Sequence, residues 1–476
     1  MTAGLPGTPE AWGWRCLHCG APLASGGLGL LCGDCGRAYP VIAGVPILVK
    51  DPIGYVRSEL SSLVQAAQDA RLRRDKLDLI WRDAGLSAAS IERHRDVLDT
   101  DIARAEMFRA LLAPDVEALG AEADETLGMR RSGWSPAALF PYLLRDWMNT
   151  AELAATAARI TAALEEALPD PSGKPVVFAA CGAAGLLAEI PPAFDCLVGF
   201  DLTLPVLAAA RRLLDGNSVE LALPHAIREA GRAMLHWRPD RPARTPVALV
   251  AMDALNTAFA DGCVACVVTS FLLDLIPEPR QLANEIHRIL CNDGVWINYG
   301  PSGPLTAFWR FDEAEGAAFI EAAGFTVMTT QAHRATYLDI SDDCPSWSFR
   351  SHICYLTSAR KAEQSGQRAR ARTPALAEVS ALVPQHFAGA QLVQRQSLGP
   401  DGARTAVFRH DGIPGRARSL ELDRDTARIM VLVDGKRTVD DIAALLQRDA
   451  PAPPREAILS AFARYFAEGL LDWRSR

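Results

Sequence analysis

The segment from Cys263 to Pro301 constrains the fold more than any other part of this chain, because it reads as a strand, a helix and a second strand. Residues 266–271 are apolar and rich in β-branched side chains, which is typical of a strand buried on both faces. A helical repeat of apolar residues follows, and residues 295–299 give a second strand pattern. This succession predicts an open α/β sheet.

The ends of the two strands carry polar or rigid residues. Asp274 comes shortly after the first strand, where open α/β sheets bind their ligands. Gly300 and Pro301 form a rigid turn after the second strand. We therefore expect the two strand ends to flank one crevice. The competing interpretation of Asp274 is an acid that caps the turn before Pro277.

The same strand ends carry two recognisable phrases, FLLD at residues 271–274 and WINYGP at residues 296–301. The segment resembles the second half of a class I S-adenosylmethionine methyltransferase. It is more closely similar to the carnosine N-methyltransferase family, whose members carry FFID and WINLGP. The resemblance implies a Rossmann-like sheet and methyl transfer from S-adenosylmethionine to a nitrogen, such as the imidazole of a histidine-containing peptide. Asp274 would then be catalytic, orienting the acceptor and balancing its developing positive charge.

A loop of small residues, Cys181–Gly185, follows another buried strand pattern and precedes a helix. Small residues let a backbone approach a nucleotide. The next strand ends in Asp201, near the spacing at which an acid accepts both ribose hydroxyls. We expect Cys181, Gly182, Gly185 and Asp201 to bind the cofactor. The alternative for Asp201 is an acid at the N-terminus of a helix.

This loop departs from the usual D-x-G-x-G-x-G motif at several positions. Ala179 stands where an acid is common, and Cys181 and Ala183 stand where glycines are common. After the second strand, Thr203 and Pro205 are expected to cap and start the next helix.

Three more residues are assigned to the cofactor site through the resemblance. Arg145, in the phrase YLLRDWMNT, matches an arginine that helps hold the cofactor carboxylate, as a guanidinium can do with two parallel hydrogen bonds. Asp253 ends the third strand, where an acid often accepts the adenine amino group. Ser270 lies at the end of the fourth strand. The alternative for Arg145 is a surface ion pair with Asp146.

The acceptor side departs from the family in ways that leave the acceptor open. Tyr337, next to Thr336, resembles one member of a Thr-Tyr pair in the family and is a candidate catalytic residue. The family's substrate-contacting histidine falls near Leu305. Its late pair of tyrosines matches Trp347 and Phe349, which have no hydroxyls.

Two closely spaced C-x2-C pairs near the N-terminus predict a structural zinc site. Cys16 with Cys19, and Cys32 with Cys35, each precede a glycine, and four thiolates complete a tetrahedral zinc site. The alternative is a set of free or redox-active thiols. His18 lies inside the first pair and is expected to face solvent. The segment looks like the small zinc-ribbon activator subunits of methyltransferases, fused in cis.

Five segments make up the predicted domain organisation. They are a zinc ribbon (1–50), a helical segment (51–135), the methyltransferase domain (136–361), a linker (362–375) and a small winged-helix domain (376–476). The last segment resembles PqqD-like domains, which bind leader segments of ribosomally made peptides. Winged helices also bind nucleic acid or serve as dimer arms, so its ligand stays open.

Charge and composition narrow the function classes further. The chain has 476 residues and a net charge of −8, which does not favour a broad nucleic-acid-binding surface. No apolar run is long enough for a membrane span, and the cysteine pattern suits a reducing cytoplasm. We expect a cytoplasmic N-methyltransferase with a peptide or protein substrate, in an unknown oligomeric state. The alternatives are an RNA or small-molecule methyltransferase, or a catalytically idle binding or scaffold protein.

Overall fold

The computed structural model places most of the chain in defined positions. The described residues are 13–27, 29–82, 85, 87–120, 136–148, 151–169, 175–191, 194, 197–223, 231–235, 247–276, 279–301, 311–337, 350–362, 376–386, 390–396, 404–410, 419–422, 424–448, 454–467 and 471–474. They divide between two compact units, and every described residue after 364 belongs to the second.

The N-terminal part of the first unit consists of short strands and two long helices. The strands are β1 (Leu23–Gly26), β2 (Gly29–Cys32), β3 (Ala38–Ile42) and β4 (Val45–Leu48), and the helices are α1 (Pro52–Arg82) and α2 (Ala88–Leu119). Consecutive strands pair antiparallel, and the two helices pack against each other. The helical segment predicted after residue 50 is therefore observed as two helices over residues 52–119.

The rest of the first unit alternates between strands and helices. In order these are α3 (Pro136–Trp147), α4 (Ala151–Ala167), β5 (Val176–Ala179), α5 (Gly185–Glu189), β6 (Leu197–Asp201), α6 (Leu204–Leu214), β7 (Val219–Leu223), β8 (Gly231–Leu235), β9 (Val247–Met252), β10 (Val264–Ser270), α7 (Pro279–Ile289), β11 (Leu290–Gly300), α8 (Glu313–Ala322), β12 (Phe325–Tyr337) and β13 (Arg350–Lys361). Every residue of β5 and β9 is buried, as expected for strands covered on both faces.

The large sheet combines a parallel part with an antiparallel end. Its order runs β9-β6-β5-β10-β11-β13-β12, with parallel pairs from β9 to β11 and antiparallel pairs at β11-β13 and β13-β12. The predicted strand, helix and strand over residues 263–301 are β10, α7 and β11. The Rossmann-like α/β fold is thus confirmed, and the carboxyl ends of β5, β6, β9 and β10 lie at one edge.

The N-terminal strands continue this sheet rather than forming a separate one. Strand β4 pairs in parallel with β9, so that Ile47 lies opposite Ala251. Near the start of the chain, the backbone N–H of Arg15 donates to the carbonyl oxygen of Ala258 at 2.6 Å. Without β4, β9 would be an exposed sheet edge with unpaired backbone groups. The boundary predicted at residue 50 therefore does not separate two sheets.

The second unit has its own small core. Its elements are α9 (Leu376–Val379), β14 (Val383–Gln385), β15 (Ala390–Gln396), β16 (Arg404–His410), β17 (Ser419–Leu422), α10 (Arg424–Leu432), α11 (Val439–Leu446), α12 (Arg455–Ala467) and β18 (Asp472–Arg474). Strands β15 to β17 form an antiparallel sheet, β14 pairs with β18, and α10 to α12 contribute most of the apolar core. The winged-helix assignment stays a prediction.

Several sequence-based predictions lie outside the described residues. These are the family-matched positions Leu305, Trp347 and Phe349, and the linker after residue 362. Between α6 and β9, the structure describes two antiparallel strands, β7 and β8. Among the described helices, none has the length and apolar character needed to cross a bilayer.

Candidate functional site

The carboxylate of Asp201 joins the ends of β5 and β6. Its Oδ2 accepts a hydrogen bond from the backbone N–H of Gly182 at 3.0 Å, and its Oδ1 accepts one from the backbone N–H of Thr203 at 2.9 Å. The N–H of Cys181 donates to the carbonyl oxygen of Phe200 at 3.0 Å. The structure thus brings together the loop and the acid that the sequence assigned to the cofactor. Thr203 is the N-cap residue of α6 and Pro205 lies in its first turn, as predicted, but the Thr203 side chain makes no capping hydrogen bond.

The loop backbone alternates into the left-handed region. Ala180, Gly182 and Ala184 have φ angles of 53°, 56° and 61°. A residue with a Cβ costs about 1–2 kcal/mol in this conformation. The two alanines therefore need support from surrounding residues to hold the loop in this form.

That support includes side chains at the end of α3. Asp146 Oδ2 accepts a hydrogen bond from the N–H of Gly185 at 2.9 Å, and Trp147 Nε1 donates to the carbonyl oxygen of Ala183 at 2.9 Å. Arg145 binds Asp146 through Nε at 2.8 Å and through its Nη2 atom at 2.7 Å. The ion pair named as the alternative for Arg145 is therefore present. However, the side chain of Asp146 is only 1% exposed, so this is not a surface pair. The contact of Arg145 with the cofactor stays a prediction.

Asp253 directly follows β9 and stabilises the turn that comes after it. Its Oδ1 accepts a hydrogen bond from the backbone N–H of Leu255 at 2.9 Å. Ser270 ends β10 beside Tyr299 of β11. Because β6, β9 and β10 belong to one parallel sheet, Asp201, Asp253 and Ser270 lie along one edge of it.

Desolvation dominates the electrostatics of the loop. It raises the pKa of the Asp201 carboxyl, although the N–H groups of Gly182 and Thr203 oppose the shift. It also raises the pKa of the Cys181 thiol well above its usual range, and the negative charges of Asp201 and Asp146 add to this shift. Cys181 is therefore a neutral thiol, so it is not a nucleophile.

Asp274 is a buried carboxyl at the end of the β10 turn. It is 8% exposed, and its Oδ1 has no hydrogen-bond partner among the described residues. Burial raises its pKa to about 6, although its own backbone N–H opposes the shift. Desolvation and then the Asp274 charge raise the pKa of the nearby Cys354 thiol, so this thiol is neutral. A carboxyl poised near neutral pH is suited to exchange a proton or to balance a positive charge.

Aromatic rings surround the same strand ends. Phe271 packs edge-on against Tyr299, with ring centroids 5.7 Å apart, and against His352 at 6.4 Å. Phe271 has a φ of 50°, and a Cβ on Gly300 would lie 3.2 Å from its backbone. The glycine is therefore needed where the two strand ends meet. For Tyr337, the structure describes the backbone, opposite Arg350 at the end of β12, and its catalytic role stays a prediction.

Sequence reasoning missed the residues that support the cofactor loop from a distance. Besides Asp146 and Trp147, Tyr55 of α1 is one of these, and it is 3% exposed. Its hydroxyl donates to the carbonyl oxygen of Leu202 at 2.8 Å and accepts from the N–H of Leu204 at 3.1 Å. The RDW phrase signalled Asp146 and Trp147 but was interpreted only for its arginine, and no local pattern marked Tyr55.

The four N-terminal cysteines converge as predicted. One sulfur from each of Cys16, Cys19, Cys32 and Cys35 lies within 4.8 Å of the others. Neighbouring sulfurs are 3.6 Å apart for Cys16 and Cys35, and 3.4 Å apart for Cys19 and Cys32. Sulfurs about 2.3 Å from a tetrahedral zinc lie roughly 3.8 Å from each other. The donor set and its spacing therefore fit a structural zinc.

Hydrogen bonds orient one of these sulfurs. The N–H of Leu17 donates to the Tyr39 hydroxyl oxygen at 2.9 Å, which directs the hydroxyl proton toward Cys16 Sγ at 3.3 Å. The N–H of His18 also points to this sulfur, at 3.4 Å, and His18 itself is exposed as predicted. Outer donors of this kind are typical of metal-bound thiolates. Among the described residues, Cys263 and Cys266 belong to no such cluster, and Cys266 is fully buried, as expected for core packing.

The zinc site can be tested by metal analysis. Protein purified without chelator should contain about one zinc per chain, bound through four sulfurs at about 2.3 Å. Cys16→Ser removes one ligand and should lower the zinc content to well below half and reduce the melting temperature. Cys263→Ser, which alters a cysteine outside the cluster, should keep the full zinc content. A zinc-free wild-type protein would refute the assignment.

The ribose role of Asp201 can be tested by calorimetry with S-adenosylhomocysteine. Asp201→Ala removes the acceptor for two hydroxyls, and at about 1–2 kcal/mol for each lost hydrogen bond the affinity should fall tenfold or more. Asp215→Ala, which removes an exposed acid after α6, should leave the affinity unchanged. An unaltered affinity in Asp201→Ala would assign this residue to local structure alone.

A comparison with known protein families gives a match over the part of the chain that contains these candidate site residues. Residues 178–297, from β5 through most of β11, match the model of a protein family described as a methyltransferase domain. No curated protein sequence matches the chain. The matched part includes the loop, Asp201, Asp253 and Asp274.

Three solved structures of methyltransferases show partial structural similarity to this chain. Phosphoethanolamine N-methyltransferase 2 from Haemonchus contortus, with S-adenosyl-L-methionine, is 14% identical and covers 49% of this chain and 59% of its own, with a TM-score of 0.33. Magnesium protoporphyrin IX methyltransferase from Synechocystis, with bound SAH, is 11% identical over 44% of this chain and 83% of its own (TM-score 0.30). A SAM-dependent methyltransferase from Methanosarcina mazei is 12% identical over 40% and 92% (TM-score 0.27).

The substrates in these names are those of the other proteins. The domain match covers the predicted cofactor loop and the acids that follow it. It agrees with the class I strand order of the sheet. The chain therefore contains an S-adenosylmethionine-dependent methyltransferase domain.

Proposed function

We propose that this methyltransferase transfers the methyl group to a nitrogen of a peptide or protein acceptor, and that a histidine imidazole is its acceptor group. The observation that carries the proposal is the buried carboxyl of Asp274, which has an oxygen without a partner among the described residues. It lies at the end of β10, at the sheet edge that binds ligands in this fold.

The chemistry at Asp274 follows from the charge that develops during transfer. S-adenosylmethionine supplies an activated methyl group when bound. The acceptor nitrogen becomes more positive as the new bond forms, so a nearby carboxylate stabilises the transition state more than the neutral acceptor. For an imidazole, Asp274 can accept a hydrogen bond from the ring N–H. This selects the tautomer whose other nitrogen presents its lone pair.

The same contact provides a destination for the proton. Methylation of a neutral imidazole gives a cation that carries one N–H, and that proton can pass to the Asp274 carboxylate. A carboxyl with a pKa of about 6 can take the proton and release it again near neutral pH. The residue would thereby finish the reaction with a neutral methylated ring.

The aromatic surroundings favour a flat acceptor. Phe271 precedes Asp274 by three residues and packs against Tyr299 and His352. Aromatic faces attract flat rings and cations. An imidazole, and the imidazolium formed from it, has both properties.

The proposal of a peptide or protein acceptor rests on the second compact unit. Its resemblance to PqqD-like domains suggests that it binds an extended segment of the acceptor. A methyltransferase for free small molecules would have no evident use for such a unit, and its deletion separates the two cases.

Substitution of Asp274 tests the catalytic role. Asp274→Asn keeps the shape but removes the charge, so turnover should fall about a hundredfold or more with little change in cofactor affinity. The assay measures methyl transfer from labelled cofactor to histidine-containing peptides, and calorimetry measures cofactor binding. Asp215→Asn is the matched control on the surface. If Asp274→Asn binds cofactor and turns over like the wild type, the catalytic assignment fails.

The pH profile gives an independent check. Asp274 acts as the carboxylate, so the rate should fall as the pH drops through about 6, the value to which burial raises its pKa. An imidazole acceptor also titrates in this range, but equally in both enzymes. The ratio of wild-type to Asp274→Asn rates should therefore still fall below pH 6. A constant ratio would contradict the role.

Deletion of residues 376–476 tests the acceptor class. S-adenosylhomocysteine affinity should stay intact, while the KM for a long peptide acceptor rises severalfold and that for a short one changes little. Equal loss of rate with both acceptors would instead show that the second unit has a structural role only.

A further inference from the structure

The cofactor loop is contacted by two adjacent side chains from outside the matched methyltransferase domain. Asp146 accepts the N–H of Gly185 at 2.9 Å, and Trp147 donates its indole N–H to the carbonyl oxygen of Ala183 at 2.9 Å. We infer that Asp146 and Trp147 are positioning residues for S-adenosylmethionine. They hold the loop Cys181–Gly185 in its cofactor-binding form without contacting the reacting atoms.

The loop needs such support because of its own sequence. Ala180 and Ala184 adopt left-handed φ angles of 53° and 61°, which glycine adopts freely and alanine does not. Trp147 binds Ala183, directly before one of these alanines, and Asp146 binds Gly185, directly after it. The two contacts therefore fix the strained peptide on both sides.

The two anchors are themselves fixed. The Trp147 side chain is 3% exposed, and the Asp146 side chain is 1% exposed. A buried carboxylate is stable only when it is paired and hydrogen-bonded, and Arg145 and the Gly185 N–H supply both. The negative charge of Asp146 also reaches the loop, because it contributes to the raised pKa of Cys181. Asp146 thus brings a carboxylate to a loop whose usual acid position is Ala179.

The packing of Gly185 supports the same interpretation. A Cβ on this residue would lie 2.4 Å from the Cβ of Asp146, closer than any real contact allows. The last glycine of this loop is therefore retained because α3 lies directly against it. The segment that precedes the matched domain is consequently part of the cofactor site.

The test compares two buried indoles that each donate one hydrogen bond. Trp147→Phe removes the donor to the loop and keeps most of the ring. The matched control is Trp296→Phe, because Trp296 is 1% exposed and its Nε1 donates to the Thr269 hydroxyl at 2.9 Å, within the sheet. Asp146→Asn tests the other anchor. Calorimetry on the full chain measures the affinity for S-adenosylhomocysteine, and the melting temperature without ligand is measured in parallel.

We expect Trp147→Phe to weaken S-adenosylhomocysteine binding about fivefold or more and Asp146→Asn about tenfold or more. Trp296→Phe should bind within about twofold of the wild type, even with a similar loss in melting temperature. With saturating cofactor, kcat of Trp147→Phe should return close to the wild-type value, so the change appears in the KM for the cofactor.

Equal affinities in Trp147→Phe and Trp296→Phe would overturn the inference, and so would a kcat defect that saturating cofactor does not correct. If Asp146→Asn does not fold, Trp147→Phe decides alone. The inference rests on the cofactor site and not on the proposed acceptor. Failure of the wild type to bind S-adenosylhomocysteine would refute that site, whereas an altered acceptor preference would leave the inference intact.

Discussion

The hydrogen bond from the Gly182 N–H to the Asp201 carboxylate holds the cofactor site together, because it joins the ends of two neighbouring strands. The same carboxylate accepts the N–H of Thr203, so both of its oxygens are held in place, as the predicted ribose contact requires. Tyr55 then fixes the residues on either side of Thr203. Preorganised acceptors of this kind cost no rearrangement on binding. The N-terminal helix α1, which carries Tyr55, thereby contributes to the structure of the predicted cofactor site.

Strand β4 joins the N-terminal segment, which carries the four cysteines, to this part of the sheet. It pairs with β9, which ends next to Asp253, and Arg15 pairs with Ala258 just beyond the Asp253 turn. The N-terminal segment therefore contacts the chain both before and after Asp253. One apolar core contains residues from β4, α1, α2 and the central strands alike. A single core of this kind makes the N-terminal segment an extension of the catalytic sheet.

The parts that the sequence predicted are those with local signals. The buried strands were recognisable as apolar runs, and the cysteines were recognisable by their spacing. Asp201 and Asp274 were recognisable by their position at or after the end of a strand. The contacts of Asp146 with Gly185, of Tyr55 with Leu204 and of β4 with β9 join residues far apart in the chain. Nothing in the local pattern of either partner marks such contacts, so they became visible only with the fold. The Thr203 side chain makes no capping hydrogen bond, and the N–H of Leu204 at the start of α6 donates to the hydroxyl of Tyr55, which is distant in the chain.

Burial raises the pKa of both Asp201 and Asp274, but the surroundings of the two carboxyls differ. Backbone N–H groups oppose the shift at Asp201, whereas Asp274 has only its own N–H. A carboxyl pKa raised from 3.8 to about 6 costs the folded state roughly 3 kcal/mol once the group is ionised. That cost is absent below the unfolded pKa, grows as the pH rises, and is complete above about 6. In the proposed reaction, an acceptor that brings an N–H and a developing positive charge would supply this carboxyl with a partner, so the cost in the free enzyme would become stabilisation of the transition state.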